Sequence, residues 1–266
     1  MEVEACSGAC AAQSERRVGR MLLTGSTWPD VERYLARSKG IIVPVGSTEQ
    51  HGPNGPIGTD ALCAEVVAHG VGVKTDVLVG PTLALGMAQH HLGFPGTISL
   101  RPTTFVLMVV DAVTSLALHS FCRIYFLNGH GGNIAPLSTA FSEVYAARST
   151  GGSGRAVRLK ATNWYDGKRV KALTEELFGE AEGRHATPSE ISLAWFARPE
   201  ALMDVPMSFG APSTGSIRDA KDFRDRFPDG RMGSDPSRAS VAAGRRLHEA
   251  AVEDVLEDYL AFLGEE

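Results

Sequence analysis

Residues 40–60 read GIIVPVGSTEQHGPNGPIGTD, an apolar run followed directly by a loop rich in glycine and proline. The apolar run is typical of a buried strand, and the loop carries three metal-binding residue types, at Glu49, His51 and Asp60. Glu49 and His51 are two residues apart, so on an extended backbone they point the same way. Since α/β proteins usually place their chemistry on loops that leave buried strands, this stretch predicts a strand with a functional loop at its end.

Further strand-like runs alternate with helical patterns along the chain. We predict strands at residues 40–46, 76–81, 123–127 and 157–162, and helices at residues 28–39, 60–71, 103–121, 133–150, 187–196 and 235–263. This alternation predicts an α/β fold, a three-layer αβα sandwich with a mostly parallel central sheet. We expect one domain over residues 21–266, a disordered extension over residues 1–20, and a long loop over residues 204–237.

Composition excludes several classes of protein. The chain has 266 residues, of which 43% are apolar, enough for the core of one large domain. Its net charge of −5 offers no basic field for nucleic acid. The longest apolar stretch, residues 105–118, is interrupted by Asp111 and is too short to span a bilayer. Four scattered cysteines and the lack of an apolar signal core predict a cytoplasmic protein without membrane contact.

A second glycine-rich loop, NGHGGN at residues 128–133, follows the predicted strand at 123–127. It presents His130 at the carboxyl edge of the sheet, and glycines such as Gly131 let the backbone approach a ligand closely. The alternative is a phosphate-binding turn, but the loop lacks both a G-x-G-x-x-G pattern and a Lys-Ser/Thr pair. The pattern therefore favours a ligand role for His130.

Two further segments contribute candidates. His185 stands just before a predicted helix and Glu190 in its first turn, where a glutamate also has a structural role as a helix cap. His90 and His91 are adjacent, so at most one of them enters a shared site. Trp164 follows the predicted strand at 157–162, either stacking on a flat substrate or lying at a rim or interface.

The candidate metal ligands form one set of three carboxylates and two imidazoles: Glu49, His51, Asp60, His130 and Glu190. Such a set suits two divalent ions that share one bridging carboxylate, with a hydroxide to balance the remaining charge. Oxygen and nitrogen ligands without thiolate fit zinc, manganese and iron equally. His185 remains as an acid/base able to protonate a departing nitrogen.

At these residues the chain resembles the creatininase (creatinine amidohydrolase) family. The matching features are GSTEQHGP at residues 46–53 with Asp60, His91 with FPGT at residues 94–97, NGHGGN at residues 128–133, His185-Ala186 with Glu190, and the Gly-Ser-Asp-Pro entry to the last helix. The similarity extends over residues 22–262. It implies an αβα domain, a two-metal centre, hydrolysis of a C–N bond in a cyclic or linear amide, and a homo-oligomer, often a hexamer.

The resemblance also implies a role for each matching residue. Glu49 and His130 would hold one metal ion, His51 would hold the other, and Asp60 would bridge them. His185 corresponds to the proton-transfer histidine of the family.

One position departs from the creatinine-cleaving members, which carry a glutamate two residues after the histidine of the second loop. This chain has Gly132 there. The second metal ion then needs another carboxylate, and Glu190 is the natural supplier. The chain is similar instead to the wider Gly-His-Gly-Gly-Asn branch, which includes deformylases, peptide-trimming enzymes of cofactor pathways and hydrolases of oxidised inositols.

These observations predict a metal-dependent amidohydrolase that acts on a small molecule through water activated by two metal ions. We assign catalysis to His185 and Glu190, and substrate binding to His91, Trp164 and Gly131. Two alternatives stay open: hydrolysis of a C–C bond in an oxidised cyclic sugar or inositol, and a non-catalytic metal-binding member of the family. The free acid/base His185 argues against the second, because a structural site has no need of one.

Overall fold

The computed structural model describes residues 21–151, 156–207 and 217–265. The predicted extension over residues 1–20 lies outside this part, as does the middle of the predicted loop over residues 204–237. The described residues form strands β1 (Gly40–Val45), β2 (Leu78–Val79), β3 (Arg123–Asn128) and β4 (Arg158–Asn163). The helices are α1 (Trp28–Arg37), α2 (Thr59–Thr75), α3 (Pro102–Leu118), α4 (Ile134–Ser149), α5 (Lys168–Leu177), α6 (Pro188–Ala197), α7 (Ala220–Arg226) and α8 (Val241–Gly264).

The strands form one parallel sheet in the order β2-β1-β3-β4, with helices on both faces. Because side chains alternate along a strand, β1 feeds two separate cores. Ile41 packs in the core that includes residues of α1, α3 and α4, whereas Ile42 packs in the core that includes residues of α2, α5, α6 and α8. The predicted αβα sandwich is confirmed. No helix in the described ranges is both long and apolar enough to cross a membrane.

The register of the sheet brings the two glycine-rich loops together. β1 and β3 are neighbours along their full length, and Val45 at the end of β1 pairs with Asn128 at the end of β3. Both loops therefore leave the same edge of the sheet side by side. That edge is the carboxyl edge of a parallel sheet, where α/β proteins bind their ligands.

Strand β2 is shorter than the predicted 76–81, and three helices differ from the sequence prediction. Helix α5 was not predicted, although Val170 and Leu173 bury an apolar stripe. Helix α7 lies inside the predicted loop over residues 204–237; it is short, with Phe223 as its buried residue. The last helix begins at Val241 after an N-cap at Ser240, not at residue 235, because Pro236–Arg238 forms a separate 3₁₀ turn. The predicted single domain stays a prediction.

Candidate metal centre

Two asparagines hold the glycine-rich loops in place. The Asn128 side chain donates to the His130 carbonyl oxygen at 2.6 Å and accepts from the His130 backbone N–H at 3.2 Å. Asn133 donates to the Gly46 carbonyl oxygen at 2.9 Å and accepts from the Met87 backbone N–H at 3.0 Å. These bonds tie the loop after β3 to the loop after β1, so the side chains that the two loops present are held relative to one another.

Two carboxylates sit buried at this edge without their full set of hydrogen bonds. Glu49 is fully buried and Asp60, at the start of α2, is 3% exposed. Within the described residues, both carboxylate oxygens of Glu49 and Oδ2 of Asp60 lack any hydrogen-bond partner. Burying an ionised carboxylate is costly unless a partner of opposite charge compensates it. The structure therefore has a buried negative site that needs cationic partners.

Three buried histidines surround these carboxylates, and each has one ring nitrogen held by a main-chain carbonyl. His51 Nδ1 is 3.1 Å from the Glu49 carbonyl oxygen, His130 Nε2 is 3.1 Å from that of Met87, and His185 Nε2 is 2.8 Å from that of Gln50.

A carbonyl oxygen can only accept, so the proton of each neutral ring lies on that outer nitrogen. The inner nitrogen keeps its lone pair. This is the arrangement that proteins use to orient metal-binding histidines.

The inner nitrogens and the carboxylate oxygens lie at the spacing of ligands around shared ions. His51 Nε2 is 3.1 Å from Asp60 Oδ1 and 3.8 Å from Glu190 Oε1, while His130 Nδ1 is 3.1 Å from Asp60 Oδ2. Two atoms bonded to one tetrahedral ion at about 2.1 Å lie roughly 3.4 Å apart. Asp60 faces a different histidine with each oxygen.

Three overlapping groups of potential ligand atoms are present among the described residues. They are Glu49 with Asp60 and His130, His51 with Asp60 and Glu190, and Glu49 with His51 and His185. All five predicted ligands are thus brought together. The first two groups share Asp60, as two neighbouring ions with a bridging carboxylate require, so the residues present fit a two-metal centre.

Glu190 forms the helix cap that its sequence position allowed, and it also lies beside the predicted metal ligands. It belongs to a capping box with Thr187, whose backbone N–H donates to Glu190 Oε1 at 2.6 Å. The same oxygen is 3.8 Å from His51 Nε2. The cap therefore positions the carboxylate at the edge of the histidine cluster.

Electrostatics shifts the pKa values of the cluster in both directions. Burial raises the pKa of Glu49 to about 7 and also raises that of Glu190. Burial lowers the pKa of His51, but the Asp60 carboxylate outweighs it and the pKa rises to about 10. Burial also lowers the pKa of His130, but the Glu49 and Asp60 carboxylates outweigh it and the pKa rises to about 9. The Asp60 pKa is held well below its usual range because His51 and His130 outweigh its burial.

His185 and His91 stay neutral. Burial lowers the pKa of each ring, and neighbouring histidines lower it further. His185 Nδ1 lies 3.8 Å from Glu49 Oε1, and His91 Nε2 lies 3.2 Å from the same oxygen. Of the adjacent pair, His91 is the one that reaches the cluster, while His90 packs against its ring.

A cavity of about 370 Å³ opens onto the cluster. Its lining includes Asp60, His130, His185 and Glu190, together with Gly131, Trp164 and Tyr165. Trp164 is 1% exposed and belongs to a hydrophobic core, so it forms a wall of the cavity with little of its ring free. His91 is not part of this lining. The substrate-binding roles of His91, Trp164 and Gly131 stay predictions.

Several residues of the site were missed by sequence reasoning. Gln50 contacts His91 and His185, which lie 41 and 135 residues further along the chain. Tyr165 follows Trp164 and lines the same cavity. Glu182 lines it too and accepts a hydrogen bond from Ser189. Gln50 stands between two predicted ligands, and that position is the one sequence signal for any of these residues.

Gly132 has no room for a side chain. A Cβ atom there would overlap His130 Nε2 and lie 2.5 Å from the Met87 carbonyl oxygen. We expect Gly132→Ala to displace the His130 ring and to weaken metal binding by at least about tenfold. Isothermal titration with Zn²⁺ measures this loss. Gly131→Ala is the matched control, because a Cβ atom there meets only Tyr165 Oη at 3.9 Å. Equal affinity in both variants would contradict this reading of the loop.

Comparison with known proteins places the chain in a family. The creatininase family, described as creatinine amidohydrolase, matches residues 24–259. A mycofactocin precursor peptide peptidase from Mycolicibacterium smegmatis is 40% identical over 118 residues, 42% of this chain and 47% of that protein. A 3-dehydro-scyllo-inosose hydrolase from Thermotoga maritima is 28% identical over 172 residues, 64% of this chain and 53% of that protein. The chain spans about half the length of these two relatives.

Solved structures agree on the fold. A crystal structure of creatininase has a TM-score of 0.81 with 22% sequence identity, covering 92% of this chain and 99% of its own. A manganese form of creatininase superposes with a TM-score of 0.77 at 22% identity, with the same coverage of both chains. The family match covers nearly the whole described chain, and the chain belongs to the creatininase family.

Proposed function

We propose that this protein is a metal-dependent amidohydrolase that cleaves a C–N bond of a cyclic or linear amide. The observation that carries the proposal is the geometry of the cluster. Buried carboxylate oxygens without hydrogen bonds face imidazole rings, and a main-chain carbonyl holds one nitrogen of each ring. Hydrogen bonding alone does not satisfy such a set, whereas shared divalent cations do.

In this proposal the cluster holds two divalent ions, with zinc, manganese or iron all compatible with the ligands. Glu49 and His130 would hold one ion, His51 and Glu190 would hold the other, and Asp60 stands between the two groups. Ions held in this way would supply Lewis acidity, which would make water more acidic and offset negative charge on a carbonyl oxygen. A structural neighbour is a Zn–Zn form of a creatininase variant, with a TM-score of 0.77 at 23% identity.

The chain's own residues supply the remaining steps. The cavity admits an amide beside Asp60 and Glu190. His185 lines this cavity, and its Nε2–H donates to the Gln50 carbonyl oxygen, so Nδ1 can take a proton from the attacking water and deliver it to the departing nitrogen. The Gln50 carbonyl keeps the ring in the tautomer that this transfer requires.

Creatinine is disfavoured as the substrate. The loop after β3 has no space at Gly132 for the glutamate of the creatinine-cleaving members. Similarity to a peptidase acting on a precursor peptide and to an inosose hydrolase supports a substrate from the wider branch. A homo-oligomer and a cytoplasmic location stay predictions.

Release of an amine tests the proposed reaction. The protein, loaded with Zn²⁺ or Mn²⁺, is incubated with cyclic amides, N-formyl amines and short peptides, and new primary amine is measured with a fluorogenic reagent. We expect metal-dependent release from at least one of these classes. Ring opening of an oxidised inositol without amine release would favour the C–C alternative. Binding of metal without turnover of any of them would favour a non-catalytic member.

Metal binding is expected to release protons. Without metal, the raised pKa values of His51 and His130 keep both rings protonated at pH 7, and a cation must displace those protons. Each displaced proton makes the affinity rise about tenfold per pH unit below pH 9. Calorimetry in buffers of different ionisation enthalpy counts the protons. An affinity that is flat between pH 6 and pH 8 would contradict the assignment.

The same shifts give the metal-free protein an unusual stability profile. A histidine with a raised folded pKa adds stability below its unfolded pKa, and this stability is lost as the pH rises through the folded value. The metal-free protein should therefore lose stability from about pH 6.5 to about pH 10. Thermal melts of the zinc-loaded protein should not show this loss.

A further inference from the structure

The Gln50 side chain occupies the space between two of the buried histidines. It is 6% exposed, and its Nε2 lies 2.9 Å from His91 Nδ1, 2.9 Å from His185 Nε2 and 3.0 Å from the Gly230 carbonyl oxygen. Its Oε1 accepts from the Gly52 backbone N–H at 2.9 Å. Three neighbours thus compete for the two protons of one amide nitrogen.

Two backbone groups fix the orientation of this amide. The Gly52 N–H can only donate, so the atom that it meets must be the oxygen of Gln50. The Gly230 carbonyl can only accept, so the atom beside it must be the nitrogen. One of the two N–H bonds is therefore committed to Gly230.

The second N–H bond has one acceptor left. His185 Nε2 is 2.8 Å from the main-chain carbonyl oxygen of Gln50, so it carries a proton and cannot accept another. The remaining N–H of Gln50 must point at His91 Nδ1. A neutral imidazole that accepts at Nδ1 carries its own proton at Nε2.

We propose that Gln50 is a positioning residue that fixes the tautomer of His91, with the proton on Nε2. His91 Nε2–H lies 3.2 Å from Glu49 Oε1. In their neutral forms His51 and His185 turn a bare nitrogen toward the carboxylates, whereas His91 turns an N–H group toward Glu49. His91 is therefore excluded as a metal ligand through Nε2 and faces Glu49 from outside the ligand set.

The surroundings of His91 leave Gln50 as the group that decides its tautomer. The ring is 1% exposed and is packed between aromatic rings, with centroid distances of 4.1 Å to His90, 4.3 Å to His185 and 4.6 Å to Phe223. Water has little access to either nitrogen. The functional meaning of the tautomer rests on the proposed metal centre, but the tautomer itself does not.

Solid-state ¹⁵N NMR of the histidine-labelled protein reads the tautomers directly, with and without Zn²⁺. The His91 signals are identified by their loss in His91→Asn. In the unmodified protein we expect a bare Nδ1 and a protonated Nε2 in both states. In Gln50→Glu a carboxylate oxygen faces Nδ1 and can only accept, so Nδ1 should become protonated. In Gln50→Met the donor is missing, so both tautomers should appear.

Gln89→Glu makes the same chemical change at an exposed site nearby and should keep the unmodified pattern. A proton on His91 Nδ1 in the unmodified protein, or an unchanged His91 pattern in both Gln50 variants, would overturn the inference. So would Zn²⁺ binding at His91 Nε2. If the expected pattern is found in a protein that neither binds metal nor cleaves amides, the inference stands and the proposed function fails.

Discussion

Glu49→Gln is expected to lose its metal and its turnover together. Glu49 is fully buried, and its two oxygens lie 3.2 Å from His91 Nε2 and 3.2 Å from His130 Nε2 without a hydrogen bond. The amide of glutamine is neutral and turns an N–H group toward one side of the cluster. Losing several kcal/mol of charge stabilisation corresponds to a fall in rate of at least about 10³-fold.

Metal content by inductively coupled plasma mass spectrometry and the amine-release rate measure this effect. Glu143→Gln is the control, because Glu143 is exposed on α4 and the same change of charge there leaves the cluster intact. The thermal melting of the metal-free variant shows whether it folds. Full metal content and full rate in a folded Glu49→Gln protein would contradict the assigned role.

The second large effect is expected at His185, where rate and metal content should separate. In the proposed role this ring moves a proton and holds no ion. His185→Gln should therefore keep its metal and lose about 10² to 10⁴-fold in rate, the usual contribution of a general acid–base. Added imidazole should restore part of the rate in His185→Gly, because the smaller side chain leaves space for a free ring.

His119→Gln is the control for this variant, since His119 is exposed at the end of α3. The competing possibility is specific. His185 also belongs to a group of potential ligand atoms with Glu49 and His51. If His185→Gln loses metal in parallel with its rate, His185 is a ligand and the proton must move through another group.

The predictable part of the site follows from sheet geometry. Both glycine-rich loops follow predicted strands of a parallel sheet, and the carboxyl ends of parallel strands lie at the same edge. Glu49, His51 and His130 could be chosen since they stand on those loops. Asp60 followed at the start of the next helix, where the register of the sheet brings it between the two histidines.

The parts that could not be predicted depend on contacts between distant segments. Nothing local marks Gln50 as the partner of His91 and His185, because its network closes only when Gly230 folds back onto it. Helix α7 was missed for a similar reason. It is seven residues long, and the contact of Phe223 with the histidine rings, not a helical pattern, gives it a place in the fold.

Glu190 caps a helix and faces the histidine cluster with the same carboxylate. The capping box fixes its Oε1 against the Thr187 N–H, and the same oxygen then faces His51. In the creatinine-cleaving members a glutamate on the second loop is expected at the position of Gly132, where this chain has no space. Glu190, which caps α6 and already points at the cluster, offers a carboxylate from that helix instead.

Anomalous diffraction from crystals soaked in Zn²⁺ is the decisive test of the two-ion centre, because it locates the ions without reference to activity. Two peaks per chain are expected, each about 2.0–2.2 Å from its ligand atoms. One should lie beside Glu49 and His130, the other beside His51 and Glu190, with Asp60 touching both. Peaks elsewhere, or none at this edge of the sheet, would contradict it.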